Sequence, residues 1–175
     1  MGRLENKVAL ITGAGKGQGA YEAEVFASEC ASVILADVDL QACSTVQEKI
    51  EYRGGNAISI YLDVTSESDW QTCIMEIAEK YGRLNVLVNN AGMTHFIDHA
   101  DLEAVTDEVW DDILGANLRG VFSCTTAAAV HRSEAGEGGG GVVRGEERGV
   151  RREEGGMGKE EGGGRSEEGG VRSEE

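Results

Sequence analysis

The 175 residues contain no two cysteines spaced C-x-x-C; Cys30, Cys43, Cys73 and Cys124 stand far apart. That argues against both a zinc site and a disulfide framework, and reduced, mostly buried thiols are expected instead. No apolar run approaches the ~20 residues that a membrane-spanning helix needs. Basic residues are scarce: 16 Lys and Arg face 32 Asp and Glu, a formal charge of −16. Phosphate backbones and anionic bilayers attract clustered Lys and Arg, so neither nucleic acid nor membrane is expected as a partner. Aromatic residues make up only 5% of the chain, and none lies beyond His131.

This last scarcity divides the chain at about His131. Residues 1–131 carry β-branched runs and periodic helical patterns, and the hydrophobic content of 40% over the whole chain suffices for a core. Residues 132–175 are mostly Gly, Glu and Arg, as in Gly138-Gly139-Gly140-Gly141, and predict a disordered tail. Acids outnumber bases there, which disfavours an Arg-Gly nucleic-acid tail. Gly, Glu, Arg and Lys can all be written with purine-only codons, as a transcript read into an unspliced intron or a changed frame would give, so a gene-model artefact is one expectation for this segment. The first strand pattern begins within ten residues of Met1, leaving no room for a signal or transit peptide. Met1-Gly2 also lacks the Ser or Thr at position six that myristoylation favours. A cytoplasmic location is the resulting expectation.

What is present centres on Val8 to Ala20. The apolar run Val8-Ala9-Leu10-Ile11 stops in Thr12-Gly13-Ala14-Gly15-Lys16-Gly17-Gln18-Gly19, and a helical pattern follows. Consecutive apolar residues mark a strand buried on both faces. A glycine-rich turn from such a strand into a helix lets a pyrophosphate approach backbone N–H groups at the helix N-terminus. A second apolar run, Val33 to Ala36, ends in Asp37, about 20 residues past Gly17, where a dinucleotide fold places the acid that holds the adenosine ribose. A βα turn without a ligand is the alternative.

Further along, Asp39 is placed to cap a helix with Leu40, Cys43, Val46 and Ile50 on its apolar face, stopped at Gly54-Gly55. Ile58, Ile60 and Leu62 alternate with Ser59 and Tyr61, the pattern of an edge strand. Ser66 and Asp69 resemble a capping box before a helix burying Trp70, Cys73, Ile74, Ile77 and Tyr81, and Gly82 closes it. Leu84 to Val88 reads as a fourth strand. Thr106 is placed to cap a long helix with an apolar stripe of Trp110, Ile113, Leu114, Asn117, Val121 and Phe122, in which Trp110 is expected in the core. Strand–helix alternation predicts an α/β, Rossmann-like doubly wound parallel sheet of order 3-2-1-4, ending after the fourth strand and the following helix. His95 and His99 have metal-ligand spacing but no third partner, and solvated loop histidines are expected, with no metal site.

Thr12-Gly13, three residues, then Gly17-Gln18-Gly19 resembles the TGxxxGxG loop of the short-chain dehydrogenase/reductase family. Asp63-Val64, Asn89-Asn90-Ala91-Gly92 and Asn117-Leu118 follow in that family's order. The resemblance implies an oxidoreductase passing hydride between a nicotinamide cofactor and a small secondary alcohol or ketone. It implies that Gly13, Gly17, Gln18 and Gly19 hold the pyrophosphate, Asp37 the adenosine ribose, Asp63 and Val64 the adenine, and Asn90, Ala91 and Gly92 the nicotinamide ribose. Asp63 could instead cap the next helix, and Asn90 could satisfy backbone groups between strands. A carboxylate at Asp37 favours NAD, whereas Lys16 before Gly17 resembles NADP-preferring members; Asp37, nearer the discriminating hydroxyl, decides for NAD.

Of the family's catalytic Asn, Ser, Tyr and Lys, only Asn117 has a counterpart. The last tyrosine is Tyr81, no Tyr precedes a Lys by four positions, and Lys159 is the only lysine after Lys80. A developing alkoxide then lacks a positioned acid, so the chain as written is expected to be inactive. The resemblance also implies a fifth strand beside Leu84 to Val88, leaving that strand an open edge, and a subunit contact through the helix from Thr106. A non-catalytic dinucleotide-binding partner of full-length relatives is the alternative.

Overall fold

Strands form at the four apolar runs and helices at the amphipathic stretches between them. In the computed structural model, which describes residues 2–98 and 100–134, the strands are β1 (Val8–Thr12), β2 (Ser32–Asp37), β3 (Asn56–Tyr61) and β4 (Val86–Val88). They form one sheet of order β3-β2-β1-β4 with every pair parallel, as expected. All five residues of β1 are buried, because β1 lies between β2 and β4 and helices cover both faces. Leu10, Ile34 and Leu87 pack with Trp70, Cys73, Ile77 and Cys124 on one face. Ile11, Val33 and Leu35 pack with Ala23, Cys43, Val46 and Ile50 on the other. The unbroken apolar run thus feeds two cores by strand alternation.

The helices are α1 (Gly17–Ser28), α2 (Leu40–Tyr52), α3 (Glu67–Tyr81), α4 (Asp107–Leu114) and α5 (Val121–Glu134), with a short 3-10 turn at Leu102–Ala104. Asp39 and Ser66 cap α2 and α3 as their positions predict, and Gly82 ends α3 with φ +68°. Trp70 is 2% exposed and its indole N–H donates to the Val64 carbonyl at 3.1 Å, so truncation to Ala would cost about 3–5 kcal/mol. None of the described helices is long and apolar enough to cross a membrane.

Several expectations need correction. The helix from Thr106 is interrupted by a π-type segment at Gly115–Gly120. Its inward positions are Ala116, Gly120, Cys124 and Ala128, all buried, while Trp110 is 58% exposed and Phe122 72% exposed. Trp110 is therefore a surface residue, because small side chains occupy the face against the sheet. Asn117 is likewise exposed. Cys30 is the exception to the expected buried thiols: α1 stops at Ser28, and Cys30 turns out with φ +69°. The other three cysteines are buried free thiols. Strand four is three residues long and starts at Val86 rather than Leu84. The expected tail from residue 132 does not begin there, since α5 continues through Glu134; its remainder and His99 lie outside the described residues.

Candidate functional site

The carboxyl ends of β1, β2 and β4 bring the glycine turn, Asp37 and the Asn89–Gly92 segment to one edge of the sheet. Lys16 is the extended N-cap of α1 and no side chain caps this helix. In contrast, Asp39, Ser66 and Thr106 accept backbone N–H bonds at the starts of α2, α3 and α4. The first-turn N–H groups of α1, among them those of Gln18 and Gly19, are thus without a side-chain acceptor, and the helix dipole makes this end positive. A Cβ on Gly17 would meet nothing within 4 Å, so this turn faces open space, and its φ of +57° suits glycine. A Cβ on Gly19 would collide with the Gly13 carbonyl oxygen and lie 2.5 Å from Asn90 Nδ2. Gly19 is therefore required for packing α1 against the turn.

Thr12, 1% exposed, ties the turn to β4. Its Oγ1 accepts from the N–H groups of Asn90 at 3.1 Å and Ala91 at 3.0 Å and donates to the Val88 carbonyl at 3.3 Å. Asn90 Nδ2 returns bonds to the carbonyls of Thr12 at 3.0 Å and Gly13 at 3.1 Å. The Asn90 side chain thus satisfies backbone groups between strands, the alternative raised by its sequence position. Thr12 was read only as part of the turn; its partners lie 76 to 79 residues away, beyond any local signal.

Asp37 is held by two backbone donors, Gly15 N–H to Oδ2 at 3.0 Å and Asp39 N–H to Oδ1 at 3.0 Å. Each oxygen retains a lone pair for a ligand. The Lys16 side chain is exposed, and its Nζ is 2.7 Å from Asp39 Oδ2. That hydrogen bond holds the Lys16 ammonium above its usual pKa and the Asp39 carboxyl below its own. Asp63 does not cap α3. Its Oδ1 accepts from Thr65 N–H at 2.9 Å and Thr65 Oγ1 at 2.7 Å, and Ser66 is the cap.

One cavity of about 770 Å³ is lined by Gly13, Asp37, Asp63, Val64, Asn90, Ala91 and Gly92 together. Gly17, Gln18, Gly19 and Asn117 are not among its walls, and the Gln18 side chain donates to Glu22 at 3.0 Å. Asn117 stands next to the cavity: its Oδ1 accepts from Met93 N–H at 2.8 Å and its Nδ2 donates to the Met93 carbonyl at 2.9 Å. These bonds anchor the loop after Gly92 to the π-type segment. Met93 on the loop, Asp111 and Asp112 on α4 and Arg119 on the π-type segment also line the cavity and were not foreseen. His95, expected to be solvated, pairs with Asp112 at 3.3 Å.

A glycine turn entering an uncapped helix, with an acid at the end of the next parallel strand, defines a nucleotide-binding α/β domain. The chain belongs to the short chain dehydrogenase family, whose sequence profile matches residues 7–143. It is 38% identical over 123 residues to the 3-oxoacyl-acyl-carrier-protein reductase FabG of Thermotoga maritima, covering 70% of this chain and 49% of that protein. It is similar to the crystal structure of 3-ketoacyl-(acyl-carrier-protein) reductase from Brucella melitensis complexed with NADH, with TM-score 0.69 and 38% identity, covering 76% of this chain and 53% of that one. It is also similar to a metagenomic short-chain oxidoreductase in complex with NADP, with TM-score 0.70 and 30% identity, covering 75% and 59%. The chain spans about half the length of the curated relatives it matches.

Proposed function

We propose that this chain is the cofactor-binding part of an NAD-dependent oxidoreductase that interconverts a small secondary alcohol and a ketone. The observation that carries the reading is the uncapped start of α1 on the same sheet edge as the Asp37 carboxylate, with a cavity of about 770 Å³ at that edge. The residues fit a dinucleotide: N–H donors without a side-chain cap suit its pyrophosphate, and Asp37 suits a ribose diol. When bound, the nicotinamide accepts or supplies hydride. Gly17, Gln18 and Gly19 hold the pyrophosphate through backbone N–H groups, and Gly13 lets Ala91 approach the turn. Asp37 accepts from the ribose hydroxyls and repels a 2′-phosphate. Asp63 and Val64 flank the adenine, while Asn90, Ala91 and Gly92 form the wall beside the nicotinamide ribose.

Asn117 positions the Met93 backbone at the cavity rim and is the one residue here matching the family's catalytic set. The 175-residue polypeptide has no tyrosine after Tyr81, so it binds the dinucleotide without turning over a ketone. The exposed apolar residues Trp110 and Leu114 on α4, Leu118 on the π-type segment and Phe122 on α5 support the additional reading that this surface meets another subunit. Calorimetry of the full chain with NAD and NADP tests the reading. NAD binding at micromolar to sub-millimolar affinity, tighter than NADP, is expected, with no NADH consumption against a ketone panel. Absence of NAD binding by a folded chain overturns it.

A further inference from the structure

Lys16 sits in the turn next to Gly15, whose N–H donates to Asp37 Oδ2 at 3.0 Å, and its ammonium lies 2.7 Å from Asp39 Oδ2. Asp39 is fixed on both sides of that contact. Its Oδ1 accepts from Ala42 N–H at 3.0 Å to cap α2, and its own N–H donates to Asp37 Oδ1 at 3.0 Å. One cation and two carboxylates thus form a connected group of net charge −1, in which Asp37 lines the cavity, Asp39 is bonded to Asp37 through its N–H, and the cation is tied to the start of α2.

Both partners are largely exposed, with side-chain exposures of 78% and 41%, so the ion pair itself contributes little to stability. Its consequence is positional. A phosphate on the ribose 2′ oxygen would bring negative charge beside Asp37, and Lys16 is the neighbouring side chain with a reach suited to meeting it. While Asp39 holds the ammonium, that charge meets two carboxylates and an already neutralised cation.

We infer that Asp39 is a specificity-determining positioning residue: by holding Lys16 against the start of α2, it withholds the turn's cation from a 2′-phosphate and enforces NAD over NADP. This rests on the reading of the cavity as a nicotinamide-dinucleotide site. Asp39→Asn separates the roles of the residue, because an Asn side-chain oxygen still caps α2 while its amide NH₂ turns toward Lys16 and releases it. A freed Lys meets a phosphate without first breaking its ion pair, so the gain over the parent is the worth of that exposed pair, about two- to fivefold in affinity.

The test is calorimetric titration of the full chain with NAD and NADP at low ionic strength, with circular dichroism to confirm folding. Asp39→Asn is expected to tighten NADP binding about two- to fivefold, the most that freeing an exposed ion pair can return, and to shift the NADP/NAD affinity ratio by the same factor. The Asp39→Asn/Lys16→Ala double variant returns NADP affinity to the parent value, and Asp39→Glu, which restores a carboxylate for Lys16, keeps the parent ratio. Asp39→Ser, another good cap, replaces Asp39→Asn if the latter fails to fold. No gain in either single variant, or a gain that survives loss of Lys16, overturns the inference while leaving NAD binding by the parent intact. A folded parent that binds neither dinucleotide removes the cofactor reading itself and this inference with it.

Discussion

Thr12→Val replaces a buried hydroxyl with a methyl of nearly the same volume, so it creates no cavity and isolates the hydrogen bonds. The Thr12 side chain gives Ala91 N–H an acceptor at 3.0 Å and shares Asn90 N–H with the Val88 carbonyl, which itself lies 3.1 Å from that nitrogen. Only the Ala91 donor is therefore orphaned. An unsatisfied buried N–H costs roughly 1–3 kcal/mol, and Ala91 is half-buried, which favours the lower half of that range. The weakened bonds at Asn90 and Val88 add about 0.5–1 kcal/mol, for a total of about 2 kcal/mol. Thr12→Ser keeps the hydroxyl and loses one buried methyl, about 1 kcal/mol. Urea denaturation of the full chain should rank the parent above the Ser variant and the Ser variant above the Val variant. NAD affinity should fall in the Val variant, because Ala91 is no longer held beside the turn. A Val variant as stable as the Ser variant would refute the reasoning, since the methyl and not the hydroxyl would then carry the site.

Gly19→Ala should destabilise the fold by about 2 kcal/mol or more in urea, although helix propensity alone favours Ala by about 1 kcal/mol, because the new Cβ collides with the Gly13 carbonyl and Asn90. Ser66→Ala removes the α3 cap on Asp69 N–H and should cost about 1 kcal/mol by the same assay. Burial pushes the thiols of Cys43, Cys73 and Cys124 up to about 12 from an ordinary 9.0. The native state therefore keeps protons that the unfolded chain releases, and these thiols make stability fall as pH rises from about 9 toward 12. The slope is about 1.4 kcal/mol per pH unit for each thiol, and Cys43→Ala should remove about a third of it in denaturation curves taken at pH 9 to 11. Trp110→Ser should change monomer stability by less than about 0.5 kcal/mol, since the side chain is exposed, while lowering self-association in sedimentation velocity.

The parts of the fold that sequence reading located are those with local causes. Asp39 and Ser66 each accept an N–H within three residues, and the glycine turn follows directly on the buried run of β1. The alternation of β3, against the unbroken run of β1, fitted the edge place that the doubly wound order gives it. The helix after Thr106 defeated the same logic. A stripe drawn through the largest apolar side chains selects Trp110 and Phe122, whereas the inward positions are the small Ala116, Gly120, Cys124 and Ala128, set close against neighbouring residues. A Cβ on Gly120 would lie 3.0 Å from Val64 Cγ2. The π-type turn then shifts the helical phase between α4 and α5. For the candidate site, turn and acid residues were legible from their types and spacing. The Asn117–Met93 bonds were not, because their separation of 24 residues is set by the loop between them.

The Thr12–Asn90 bond joins residues 78 positions apart, and β1 pairs with β4 only after every other described strand has been made. The glycine turn is written near the start of the chain, yet the contacts that shape it come from Val88 to Ala91. A nascent chain shorter than this carries the motif without its supports, and ordering the turn must wait for the longest loop closure in the sheet. On the proposed dinucleotide reading, nucleotide affinity is expected to arise only with the completion of the sheet, and dinucleotide binding would then report that β4 has docked.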